Sequence, residues 1–122
     1  MLMISANDVL QAISEIHQYS MLLIELKNSA TVVVRHSVNG TMSYFKVEGG
    51  LKPNERHALA REMPKNNRSE NLKHLTIEQL ITEVDGQTAN HIWLESVGRD
   101  KREHGFLSIA ELKAFLRTNP QR

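Results

Sequence analysis

The stretch from Met21 to Val47 reads MLLIELKNSATVVVRHSVNGTMSYFKV, and its apolar residues recur with a period of two. Leu22, Ile24 and Leu26 alternate first; Thr31 to Val38 and Thr41 to Val47 then flank Asn39-Gly40, a pair suited to a tight hairpin turn because both residues tolerate positive φ. Three antiparallel strands follow. A two-residue loop at Asn39-Gly40 pairs Val38 with Thr41, His36 with Ser43, Val34 with Phe45 and Val32 with Val47, and sends that set to the core. The opposite face then carries Val33 beside Lys46, Arg35 beside Tyr44 and Ser37 beside Met42.

On either side of this meander the period changes to that of helices. Three segments open with one local device: Ile4-Ser5-Ala6-Asn7-Asp8-Val9, Leu75-Thr76-Ile77-Glu78-Gln79-Leu80 and Leu107-Ser108-Ile109-Ala110-Glu111-Leu112. In each, a hydroxyl can accept from the backbone N–H three residues on, an acid or amide there can reach back, and the flanking apolar pair closes over the turn. A first helix with Val9, Leu10, Ile13 and Ile16 on its apolar stripe runs to about Tyr19. After Gly49-Gly50, Pro53 opens a short helix carrying Ala58, Leu59 and Met63, which Pro64 stops. Residues 65–70 form a polar loop. A third helix with Ile77, Leu80, Ile81 and Val84 ends at Asp85-Gly86, and His91 to Val97 alternates as a strand. A charged loop from Gly98 to Gly105 leads to a last helix burying Ile109, Leu112, Phe115 and Leu116 before Asn119-Pro120.

The predicted order is α-β-β-β-α-α-β-α, an α+β fold in a single domain over residues 1–122, with an antiparallel sheet and its helices packed on one face. Double-stranded-RNA-binding domains also run helix, three-stranded meander, helix, but Pro53-Asn54-Glu55-Arg56 lacks the lysine-rich helix start of that family. Secretion-effector chaperones share elements of the order but are acidic, and this chain is not. Neither family is assigned. Composition sets further bounds: 122 residues with 40% hydrophobic side chains support one ordinary core. Fifteen Lys and Arg against fourteen Asp and Glu leave a net charge of +1, so no global field gathers polyanions. Zero cysteines exclude disulfides, thiol catalysis and thiolate metal sites. The first basic residue is Lys27 and the opening residues lack a continuous apolar core, so a cytoplasmic protein without a secretion signal or membrane span is expected.

Four groups of residues could carry chemistry. On the outward sheet face, Tyr44 could stack a base while Arg35 and Lys46 hold phosphates, the combination used by single-strand binders. On the fourth strand, His91, Trp93 and Glu95 share a face. His91 and Glu95 lie about 13 Å apart by backbone rise, a separation suited to acid and base roles on opposite sides of a phosphodiester, with Arg99 or Arg102 stabilising charge. The loop holding Arg99, Lys101, Arg102 and His104 mixes cations with acids between two glycines and suits recognition of a polar protein surface. Six His are spread along the chain with no two at ligand spacing. Glu70, His74 and Glu78 have helical spacing, but Thr76 as a helix cap would break it, so no metal and no cofactor is expected. Phosphate-loop, dinucleotide-binding, nucleophile-elbow and HExxH motifs are absent.

These observations lead to a small non-enzymatic binding or regulatory protein that contacts another macromolecule, a protein first, through Arg99, Lys101, Arg102 and His104. A nucleic-acid-binding domain using Arg35, Tyr44 and Lys46 is the alternative, and a metal-independent nuclease using His91 and Glu95 the third reading.

Overall fold

Capping chemistry places the helices where local sequence demands them. In the computed structural model, which describes residues 3–16, 20–37, 39–61, 72–96 and 103–118, Ser5 accepts from the Asp8 N–H at 3.1 Å and opens α1, Ala6–Glu15. Thr76 and Gln79 exchange both bonds of a capping box at the start of α3, Ile77–Val84. Ser108 accepts from the Glu111 N–H at 3.2 Å, and Glu111 reaches back to the Leu107 N–H at 2.7 Å, before α4, Ile109–Thr118. Helix α2, Pro53–Arg61, begins on proline, with Glu55 accepting from the Lys52 N–H at 2.9 Å. No helix among the described residues is long and apolar enough to cross a membrane.

The strands are β1 Ser20–Leu26, β2 Thr31–His36, β3 Met42–Val47, β4 Leu72–Leu75, β5 Ala89–Ser96 and β6 Glu103–Phe106. They form one sheet in the order β4-β3-β2-β1-β5-β6, with every neighbouring pair antiparallel. The fold is α+β, as expected, and the element order gains two short strands, becoming α-β-β-β-α-β-α-β-β-α. One is built from Leu72–Leu75, ahead of the Thr76 cap; the other, Glu103–Phe106, comes from the end of the predicted charged loop.

Two further expectations are corrected. Helix α1 stops at Glu15, because Ile16 is already extended at ψ 145°, and Leu10 leaves the apolar stripe to stand 41% exposed. The hairpin is one residue longer than a two-residue turn. Ser37 donates to the Thr41 carbonyl at 2.9 Å, Gly40 at φ +86° donates to the Ser37 carbonyl at 3.1 Å, and Asn39 Oδ1 accepts from the Thr41 N–H at 3.0 Å. Val34 therefore pairs with Tyr44, Val33 with Phe45 and Arg35 with Ser43. A slip of one residue moves every β3 side chain to the other face.

Both faces of the sheet are covered, where helices on one face were expected. Leu22, Ile24, Val32, Val34, Ile92 and Leu94 pack with buried residues of α1, α3 and α4. On the second face, Met21, Leu23, Val33, Phe45, Val47 and Leu72 pack under Leu59 and Ala60 of α2. Helix α2 crosses because the β1 and β2 runs Met21–Ile24 and Val32–Val34 are apolar at every position, and a strand of that kind needs cover on both sides.

Candidate functional site

Helix α2 brings charge onto the apolar second face. Arg56 stands three and four residues before Leu59 and Ala60, so the three share the buried side of the helix. Its guanidinium grips Glu103 of β6 with both forks, Nε to Oε2 at 2.8 Å and Nη2 to Oε1 at 3.0 Å, and donates from Nη1 to the Leu51 carbonyl at 2.9 Å. It also lies 4.2 Å over the Trp93 ring of β5. The adjacent helical residue, His57, meets the carboxylate of Glu95 through Nδ1.

Glu95 is the deepest of these groups, 1% exposed, and its Oε2 is buried without a hydrogen-bond partner. In the sheet it stands opposite Met21 on one side and Glu103 on the other. Burial pushes the Glu95 carboxyl above the usual carboxylate range; contact with Glu103 adds to the rise and His57 opposes it. Glu103 is held below its ordinary value, first by the Arg56 guanidinium. Arg35 closes the far end of the helix: Nε donates to the Leu59 carbonyl at 2.9 Å and Nη2 to the Ala60 carbonyl at 3.2 Å.

The predicted alignment of His91, Trp93 and Glu95 on one face is present, but the first and last do not meet at a common point. His91 is exposed, stacks on Trp93 at 5.3 Å and bonds Glu25 at 3.2 Å, while Glu95 lies buried against His57. The longer hairpin separates the proposed nucleic-acid set. Arg35 is buried under α2, Tyr44 packs into the first-face core, and Lys46 pairs with Glu83 at 3.2 Å and Glu48 at 3.3 Å. Arg35 thus shares no face with Tyr44 and Lys46. Of the recognition loop, Arg99, Lys101 and Arg102 lie outside the described residues, and His104 sets its ring 4.8 Å from Phe115 on the α4 side. Glu70 also lies outside, and His74 belongs to β4, so Thr76 does break the helical alignment with Glu78.

His57, Glu103 and Arg56 were absent from every candidate set read from the sequence. Their partners are 38 and 47 residues away, beyond any local spacing rule. The spacing of Arg56 with Leu59 and Ala60 was the available signal, since a charged residue on the apolar side of a short helix requires a buried partner.

A second feature lies on the opposite side of the sheet. Between the start of α1, β5 and the start of α4 is a groove of about 150 Å³, with buried Ile4, Ile92 and Ile109 among its lining residues. Met3, 72% exposed, and Leu107, 91% exposed, also line it. Leu107 was expected to close over the turn onto Leu112; Leu112 is fully buried without it, in the core cluster that α4 shares with α1. Asp8 supplies a carboxylate to the groove wall, held below the usual range first by its bond to Ser5 and then by Lys113.

Comparison of the chain with protein-family models, with curated proteins and with solved structures finds no match.

Proposed function

We propose that the chain is a small non-enzymatic binding protein that holds a segment of another protein in the groove between α1, β5 and α4. The observation that carries this reading is the exposure of Leu107 and Met3 beside a cavity lined by buried isoleucines. Large apolar side chains left in water around a concavity mark a contact surface, whereas single scattered ones do not. A volume of about 150 Å³ accommodates one ring or branched aliphatic side chain. Asp8 already pairs with Lys113 at 3.3 Å, but its carboxylate stays half exposed on the groove wall, where a second cation beside that anchor can share it. The occupant is therefore a peptide segment in which an apolar residue adjoins Lys or Arg.

Selection from a displayed library of random peptides tests this. Enriched peptides should carry an apolar residue next to a basic one and should lose binding to Leu107→Asp. The thermal midpoint of that variant should barely move, because Leu107 makes little contact with the core. Absence of enrichment, or peptides that bind Leu107→Asp equally well, would overturn the assignment.

A further inference from the structure

We infer that His57 Nδ1 and the carboxylates of Glu95 and Glu103 form a binding site for a divalent transition-metal ion, with Zn2+ the cation they suit. The inference is independent of the groove, which lies on the other face of the sheet.

One ligand atom from each of the three residues lies within 4.8 Å of the others. The donors come from α2, β5 and β6, three elements held together by the sheet and by the Arg56–Glu103 pair. Buried Glu95 supplies an independent indication: a carboxylate 1% exposed has one oxygen with no hydrogen-bond donor. Buried polar atoms are ordinarily satisfied, so such an atom calls for a proton shared with Glu103 or for a cation that both carboxylates hold. Register sharpens the point, because Glu95 and Glu103 are directly opposite one another in the sheet. Arg56 provides a single positive charge and sets its Nε and Nη2 on Glu103. A cation between the two carboxylates would offset the negative charge that Arg56 leaves and use the orphan oxygen.

The donor set selects the metal. One imidazole with two carboxylates suits a borderline cation such as Zn2+ in preference to Mg2+, which favours oxygen ligands and retains water. At Zn–N and Zn–O distances of about 2.0–2.2 Å, ligand atoms of a tetrahedron stand about 3.4 Å apart. His57 would step back from Glu95 and Glu103 would close in. Their side chains are 32% and 24% exposed, so both have room to move, whereas Glu95 is the fixed point. Arg56 would become the outer partner that orients the Glu103 carboxylate.

Isothermal titration of chelator-treated, dialysed protein with Zn2+ tests the inference, with thermal midpoints measured in parallel. One equivalent should bind and raise the midpoint, as any ligand selective for the folded state does. Affinity should fall by at least about tenfold in Glu95→Gln and in His57→Ala, and be retained in His91→Ala, which removes an exposed imidazole outside the cluster. His57 is partly exposed, so its variant should keep the native far-UV circular dichroism even if the buried substitution does not. The inference is overturned if wild-type protein shows no saturable binding, if folded His57→Ala binds as well as wild type, or if His91→Ala abolishes binding.

Discussion

Arg56 serves three partners from one helical position: the Glu103 carboxylate, the Leu51 carbonyl and the Trp93 ring. Its side chain is 8% exposed, so these contacts replace water almost completely. Removing the cation would leave the Glu103 carboxylate beside that of Glu95 without the guanidinium that grips it. Arg56→Met, which keeps much of the apolar stem, should therefore destabilise the protein by about 2 kcal/mol, less than for a fully buried ion pair because the Glu103 end is partly exposed. Urea denaturation measures it, and a loss below about 1 kcal/mol would show that the network is bypassed by water. Residues of this kind are hard to read in sequence. His91, Trp93 and Glu95 could be placed on one face because alternation along a strand is a local rule. That Glu95 would be sealed by α2, and His91 left outside, depended on a helix that the strand pattern does not locate.

At the scale of elements, helix starts were legible because capping is settled within four residues, and Ser5, Thr76 and Ser108 each accept the expected backbone bond. Where the first helix docks is a longer-range matter. Asp8 ties α1 to α4 through Lys113 at 3.3 Å, and Lys113 also donates to Gln11 at 2.5 Å. Because the folded protein lowers the Asp8 pKa below its ordinary 3.8, chiefly through Ser5 and then Lys113, the stability it contributes is fully present above that value. It is lost as pH falls through the lowered folded-state value. Thermal midpoints followed from about pH 4 to about pH 2 should fall more steeply for wild type than for Asp8→Asn, with the two converging at the acid end. Parallel curves would remove this tie. The hairpin is the counterexample: Asn39-Gly40 announced a turn, but the Ser37 and Asn39 side chains cap the Thr41 N–H and stabilise a loop one residue longer. That single residue carries Tyr44 and Lys46 away from Arg35 and removes the geometry expected for nucleic-acid contact.

At the scale of the molecule, one sheet separates two surfaces of different chemistry. The α2 face concentrates paired charges over an apolar floor, and the other places an open apolar groove between three elements. The α+β class could be read in advance because it depends on the succession of periods along the chain. The two surfaces could not, since each is assembled from segments far apart in sequence and neither has a local motif. Partner recognition is proposed for the groove. The most direct test is the map of backbone amide resonances perturbed when a selected apolar-basic peptide is added. Shifts should concentrate at Met3, Ile4 and residues 107–110 and leave the α2 amides in place. Perturbations centred on α2, with residues 107–110 unmoved, would contradict it.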